Sequence, residues 1–172
     1  RDYRTHMSFI AELSKKFEGA TQNVALHAGE LTLGLVPPEH LGWHIRDAVR
    51  IAGAKRIGHG IDISYDPDMY QTLQLMAEGE VAVEINLTSN DVILGVSGKD
   101  HPISIYLENS VPITISTDDE GVSRINLTHE YQRAVESFDL GYETIKTISR
   151  NALQYSFLPG RTLFQNTMDG SL

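Results

Sequence analysis

The sequence holds no cysteine. That excludes disulfides, thiolate chemistry and cysteine metal ligands, and it is compatible with either redox compartment. Positive charge is also scarce: 14 Lys and Arg stand against 23 Asp and Glu, for a formal net charge of −9. This balance argues against a nucleic-acid partner, because phosphate binding needs net or local positive charge. No apolar run approaches the roughly 18 residues of a membrane span, so no membrane partner is expected. The chain opens on Arg1-Asp2-Tyr3-Arg4, neither a methionine start nor a signal peptide, and its beginning is expected to be missing. What remains is ordinary: 41% hydrophobic residues over 172 positions, enough for one domain with a real core.

The hydrophobic pattern alternates between two periods. Residues 3–17 place Met7, Ile10, Leu13 and Phe17 at helical spacing, with Gly19 as the stop. Residues 24–27 read as a short buried strand with polar residues at its C-terminal end. After Pro37 and Pro38, residues 39–53 carry an apolar stripe of Leu41, Ile45, Ala48, Val49 and Ala52, closed by Gly53. Residues 55–60 form the next strand and its exit, and residues 66–79 a helix with Met69, Leu73 and Met76 on one face. A strand over 81–90 is followed by a loop rich in Gly, Ser and Asp, then a short helix over 101–110. Residues 111–120 are again a strand ending in polar residues, and two helical stretches follow at 125–138 and 142–157.

Strand and helix therefore alternate four times, which implies parallel strands with right-handed crossovers. An open doubly wound sheet and a (β/α)8 barrel both have this pattern. No dinucleotide fingerprint follows any strand, which weakens one common form of the open sheet. The polar residues weigh more. His27 and Glu30, His59, Asn86 and Ser89, and Asp118 and Asp119 all fall at or just past strand C-termini. A barrel gathers those positions on one rim. Eight strands typically need about 250 residues, so four units supply half a wall, with apolar edges left open. The expectation is that residues 1–172 are the second half of one (β/α)8 barrel, about strands 5–8, completed by an N-terminal half outside this chain.

Each polar element has a functional and a plain reading. In His27-Ala28-Gly29-Glu30 the histidine suits a zinc ligand, Gly29 permits a turn close to a ligand, and Glu30 faces the same cavity. A structural histidine and a surface glutamate are the alternative. In Gly58-His59-Gly60 an uncrowded histidine suits a base reaching a bound substrate or water, or else a hydrogen-bonded turn. Asp118-Asp119-Glu120 is costly unless solvated, hydrogen-bonded or near a cation. The two aspartates could divide metal and substrate between them, or form a solvated loop with Arg124 neutralising part of the charge. Asn86, Ser89 and Asn90 favour structural bracing over catalysis. His6, His40, His44, His101 and His129 fall on helices or helix starts and read as surface, capping or packing residues, as Trp43 does for packing.

In order, HAGE, RIGHG, TSN, HP and STDD resemble the adenosine deaminase family over nearly the whole chain. The resemblance implies the C-terminal half of a metal-dependent hydrolase barrel with Zn2+ as cofactor. It implies that His27 and Asp118 are zinc ligands and that Glu30 protonates N1 of the purine. It makes His59 the base that orients and deprotonates the attacking water, and Asp119 a residue that bonds the base and positions the nucleophile. Gly29 would lie beside the ring. The family's His-x-His pair on the first strand does not occur here, and Glu120 stands where the family usually has proline. STDDEGVSR and SFLPG resemble the secreted, growth-factor-related branch or its bacterial relatives, which implies a secreted or periplasmic location over a cytoplasmic one.

The implied reaction is hydrolytic deamination of adenosine to inosine and ammonia. Two alternatives remain: a related deaminase of adenine or another 6-amino purine, and a non-catalytic growth-factor-like or nucleoside-binding relative. The expected partners are adenosine or a related purine, a missing N-terminal half or companion chain carrying the His-x-His ligands, and further copies in a homo-oligomer. The isolated fragment is expected to be inactive.

Overall fold

The computed structural model describes residues 2–17, 23–160 and 164. Helix α1 (Asp2–Lys16) leads into β1 (Ala25–Ala28), α2 (His44–Arg50) and β2 (Arg56–His59). Helix α3 (Met69–Glu78), β3 (Ala82–Ile85), α4 (Leu87–Leu94) and α5 (Ile103–Glu108) follow. Strand β4 (Ile113–Ile115) then leads to α6 (Glu120–Ser123), α7 (Leu127–Phe138) and α8 (Tyr142–Gln154). The four strands are parallel and lie in sequence order, β1-β2-β3-β4. This is an arc of a (β/α) barrel. Strands β1 and β4 are its two edges and do not pair with each other.

The two faces of the arc differ in chemistry. Ile57, Val83, Ile85, Ile113 and Ile115 are buried in the core with Leu73, Met76, Ile103 and Ile148 from the helices. Helix α2 packs against β1, and α7 and α8 against β4. The alternate positions form the other face. His27 is level with Gly58, Gly58 with Glu84, and Glu84 with Thr114, so one row crosses all four strands. His27 is exposed, and Glu84 and Thr114 are half-buried. Arg56, one step below the row, forms an ion pair with Glu84 and lies 4.6 Å from the Phe157 ring centroid. In a closed barrel the inward positions fill the interior. Here they face an open concavity.

Three local expectations change. The strand expected through residue 90 ends at Ile85, and α4 begins at Leu87. The buried Glu130 carboxylate accepts the Thr88 backbone N–H (3.2 Å) and the Thr88 hydroxyl, so another element satisfies one of the free backbone donors of this helix start. A contact from 42 residues away leaves no local pattern. The helix expected over 39–53 splits into a 3-10 turn, Pro38–His40, and α2. Gly42 breaks it with φ 75°, and a Cβ there would stand 2.2 Å from the Tyr65 carbonyl oxygen. Residues 120–123, expected as the end of the acidic loop, form α6. Gly19, the expected stop of the first helix, lies outside the described residues.

Candidate active site

The strand ends bring HAGE, GHG and the acidic turn together. His27 closes the inward row of β1, and Gly29 turns the chain with φ 66° so that Glu30 comes back over the sheet. His59 ends β2 with φ 70°, a left-handed conformation costly for a residue with a Cβ. It is reached because Gly60 follows, also at φ 62°, with its carbonyl oxygen accepting the Tyr106 hydroxyl at 2.5 Å. Ligand atoms of His27, Glu30 and His59 all lie within 4.8 Å of one another. The His27 and His59 rings are 5.1 Å apart at 46°. His59 Nε2 is 3.7 Å from Glu30 Oε1 and 3.9 Å from Asp118 Oδ2, the latter on the turn after β4 at φ 51°.

His59 is 1% exposed. Burial lowers its pKa from 6.5, while Glu30 and Asp118 push back and His27 adds to the lowering. Among the groups that meet there, the His27 imidazole and the Asp118 carboxylate are donors of the kinds that zinc takes, at about 2.0–2.2 Å per ligand. The residues present therefore fit a zinc ion.

The adenosine deaminase family model matches residues 6–164. The chain belongs to the adenosine deaminase family. Among curated relatives, an adenosine deaminase of Clostridium perfringens is 35% identical over 147 residues, which is 85% of this chain and 41% of that protein. Among solved structures, adenine deaminase from Arthrobacter aurescens superposes with TM-score 0.70 at 21% identity, over 89% of this chain and 44% of that one. Arabidopsis N6-mAMP deaminase superposes with TM-score 0.63 at 28% identity, over 80% of this chain and 37% of that one. The chain thus spans less than half the length of each of these relatives.

Within this family member the sequence-picked residues fall as follows. His27, Glu30, His59 and Asp118 converge, and Gly29 lines the same 350 Å³ cavity as His27 and Glu30. Asp119 precedes α6; its backbone carbonyl accepts the Val122 and Ser123 N–H groups, and its side chain meets none of the other candidates among the described residues. Arg124 ends α6 and pairs with neither aspartate. Asn86 and Asn90 brace His59: their Nδ2 atoms lie 3.4 and 3.1 Å from its Nδ1. His101 caps α5, its Nδ1 accepting the Ile103 backbone N–H at 3.2 Å. Trp43 stacks on His44 at 3.8 Å.

Two residues of the site escape the sequence reading. Asp62 is buried beside Gly29, lines the cavity, and accepts the Gly42 N–H at 2.9 Å. Its signal was an acid two positions past the GHG exit, between two isoleucines. Glu84 shares the inward row with His27, and its signal was a charge at an alternating position of an apolar strand. Asp62 Oδ1, Asn86 Oδ1 and Ser89 Oγ are buried without a hydrogen-bond partner among the described residues. All three lie just past the C-terminal ends of β2 and β3, where barrel chemistry is housed.

Proposed function

We propose that the complete protein hydrolyses the 6-amino group of a purine, adenosine foremost, with zinc as its cofactor. The convergence of His27, Glu30 and His59, with Asp118 beside them, carries this reading. Zinc would be held by His27 and Asp118, with further ligands from outside this chain, and it supplies Lewis acidity that makes water a nucleophile near neutral pH. Glu30, three residues past His27 on the same turn, donates a proton to purine N1 and makes C6 a better electron acceptor. His59 holds the attacking oxygen through Nε2, and Asp119 helps position it. The new C6–O bond forms, one water proton passes to the amino group and the other returns to Glu30 as the C6 hydroxyl becomes a carbonyl, and the C6–N bond breaks with the amino group leaving as ammonia.

The open edges β1 and β4 and the polar inward row support a further part of the reading. Residues outside this chain, on the same polypeptide or a companion, supply the rest of the barrel and close over that row. The test is a parallel assay of adenosine, adenine and N6-methyl-AMP on the complete protein, beside its measured zinc content. Adenosine turnover that follows zinc content is expected. Full zinc with no turnover of any purine would leave a nucleoside-binding relative instead.

A further inference from the structure

A chain of hydrogen bonds runs from the start of α5 to the candidate site, and one end of it is unambiguous. The Ile103 backbone N–H can only donate, and it donates to His101 Nδ1 at 3.2 Å. His101 Nδ1 therefore carries a lone pair, and in the neutral ring the proton sits on Nε2. That nitrogen lies 3.1 Å from Asn90 Oδ1 and donates to it. The Asn90 amide is thereby fixed, with its NH2 group 3.1 Å from His59 Nδ1. Asn86 directs its own NH2 group at the same nitrogen from 3.4 Å. His59 Nδ1 must accept, so the proton of neutral His59 sits on Nε2, the atom facing Glu30 and Asp118.

Burial keeps the relay in one state. Asn90 is 0% exposed, His101 3% and His59 1%. His101 is held neutral, with its pKa lowered to about 4 by burial and by Arg133. The helix carrying Asn90 is clamped to α7 on both sides of it, through Thr88 to Glu130 and Asp91 to Arg133. A reversed Asn90 amide would set its NH2 group against the N–H of His101 and its oxygen against the lone pair of His59. Both contacts are repulsive in a buried place.

We propose that Asn90 and His101 are positioning residues that lock His59 in the tautomer with its proton on Nε2, so that His59 meets the reaction centre as a hydrogen-bond donor. The inference rests on the deaminase reading only for its chemical consequence. A neutral His59 with Nε2–H is not a metal ligand and does not take a proton from water. It donates to the attacking oxygen and holds it in place. Among the three residues whose ligand atoms converge, this separates His59 from His27 and Glu30.

The experiment is a two-bond proton–nitrogen spectrum of the complete protein with 15N-labelled histidine, with His59 assigned by its loss in His59→Asn. The expected spectrum shows Nε2 protonated and Nδ1 bare, unchanged on adding zinc. In Asn90→Asp the carboxylate draws a proton to Nδ1, and kcat falls about 10- to 100-fold with little change in KM, the scale of losing an orienting partner. His101→Phe removes the donor to Asn90 and yields mixed tautomers; His101→Gln, whose amide nitrogen falls near the position of Nε2, recovers most of the loss. A wild-type spectrum with the proton on Nδ1, loss of the Nε2 proton to zinc, or an unchanged tautomer in His101→Phe would each overturn the relay. The spectrum is read without substrate, so a protein that deaminates no purine sinks the proposed function and leaves the relay standing.

Discussion

Asp62 Oδ1 lies so close to Gly29 that a Cβ on the glycine would stand 2.1 Å from it. The Asp62 backbone N–H also donates to the Gly29 carbonyl at 2.8 Å. The glycine in HAGE is thus required first by its neighbour and by its φ of 66°, before any ligand arrives. Gly29→Ala in the complete protein is expected to cost on the order of 3 kcal/mol from overpacking and backbone strain. It should also carry Glu30 out of place. Chemical denaturation measures the first effect. A variant as stable as wild type would show that Asp62 yields easily.

Glu30→Gln keeps the shape of the side chain and removes the acid. Zinc content is expected to stay full while kcat falls by about 10²- to 10⁴-fold, roughly 3–5 kcal/mol in barrier. Glu39 and Glu78, on the turn before α2 and at the end of α3, serve as controls and should change little. Near-normal kcat in Glu30→Gln with full zinc would remove Glu30 from the reaction.

His27→Ala and Asp118→Asn each remove one proposed ligand. Zinc affinity should fall by more than about 100-fold in each, beyond the usual cost of losing an orienting partner. Competition with a chelator of known affinity measures it. Asp118→Asn with unaltered zinc binding would reassign Asp118 to the substrate or to His59, 3.9 Å away.

His101 gives the fold a pH dependence. Its folded pKa of about 4 lies below its ordinary 6.5, so the unfolded chain binds the proton more readily. The buried neutral ring therefore costs nothing above pH 6.5 and progressively more as pH falls toward about 4, where the loss levels off. The loss is on the order of 3 kcal/mol. Urea titrations of wild type and His101→Gln across that window should diverge in this direction. Parallel curves would mean that His101 is protonated without opening the relay.

Much of this site is legible without coordinates, and the reason is local. His27, Glu30, His59 and Asp118 each follow a short apolar run, and a strand exit in an α/β pattern points its polar residues at one rim. Asn86, Ser89 and Asn90 were legible as bracing, although not as the brace of one imidazole. Helix α4 was not legible, because the Glu130 carboxylate on α7 holds its Thr88 N–H from 42 residues away. Nor was the split before α2, where the Tyr65 carbonyl excludes any side chain at position 42.

The sequence by itself determined the period of most elements and the rim on which the ionisable residues fall, since these depend on neighbours three or four positions away at most, and the alternation of strand and helix from which the parallel order follows. The tertiary structure decided the rest: which atoms of that rim meet, that Asp62 and Glu84 join it, and on which nitrogen His59 carries its proton. Those properties depend on contacts between distant positions, such as Asn86 and Asn90 with His59, 27 and 31 residues apart, and on burial that removes competing water. A linear pattern encodes neither.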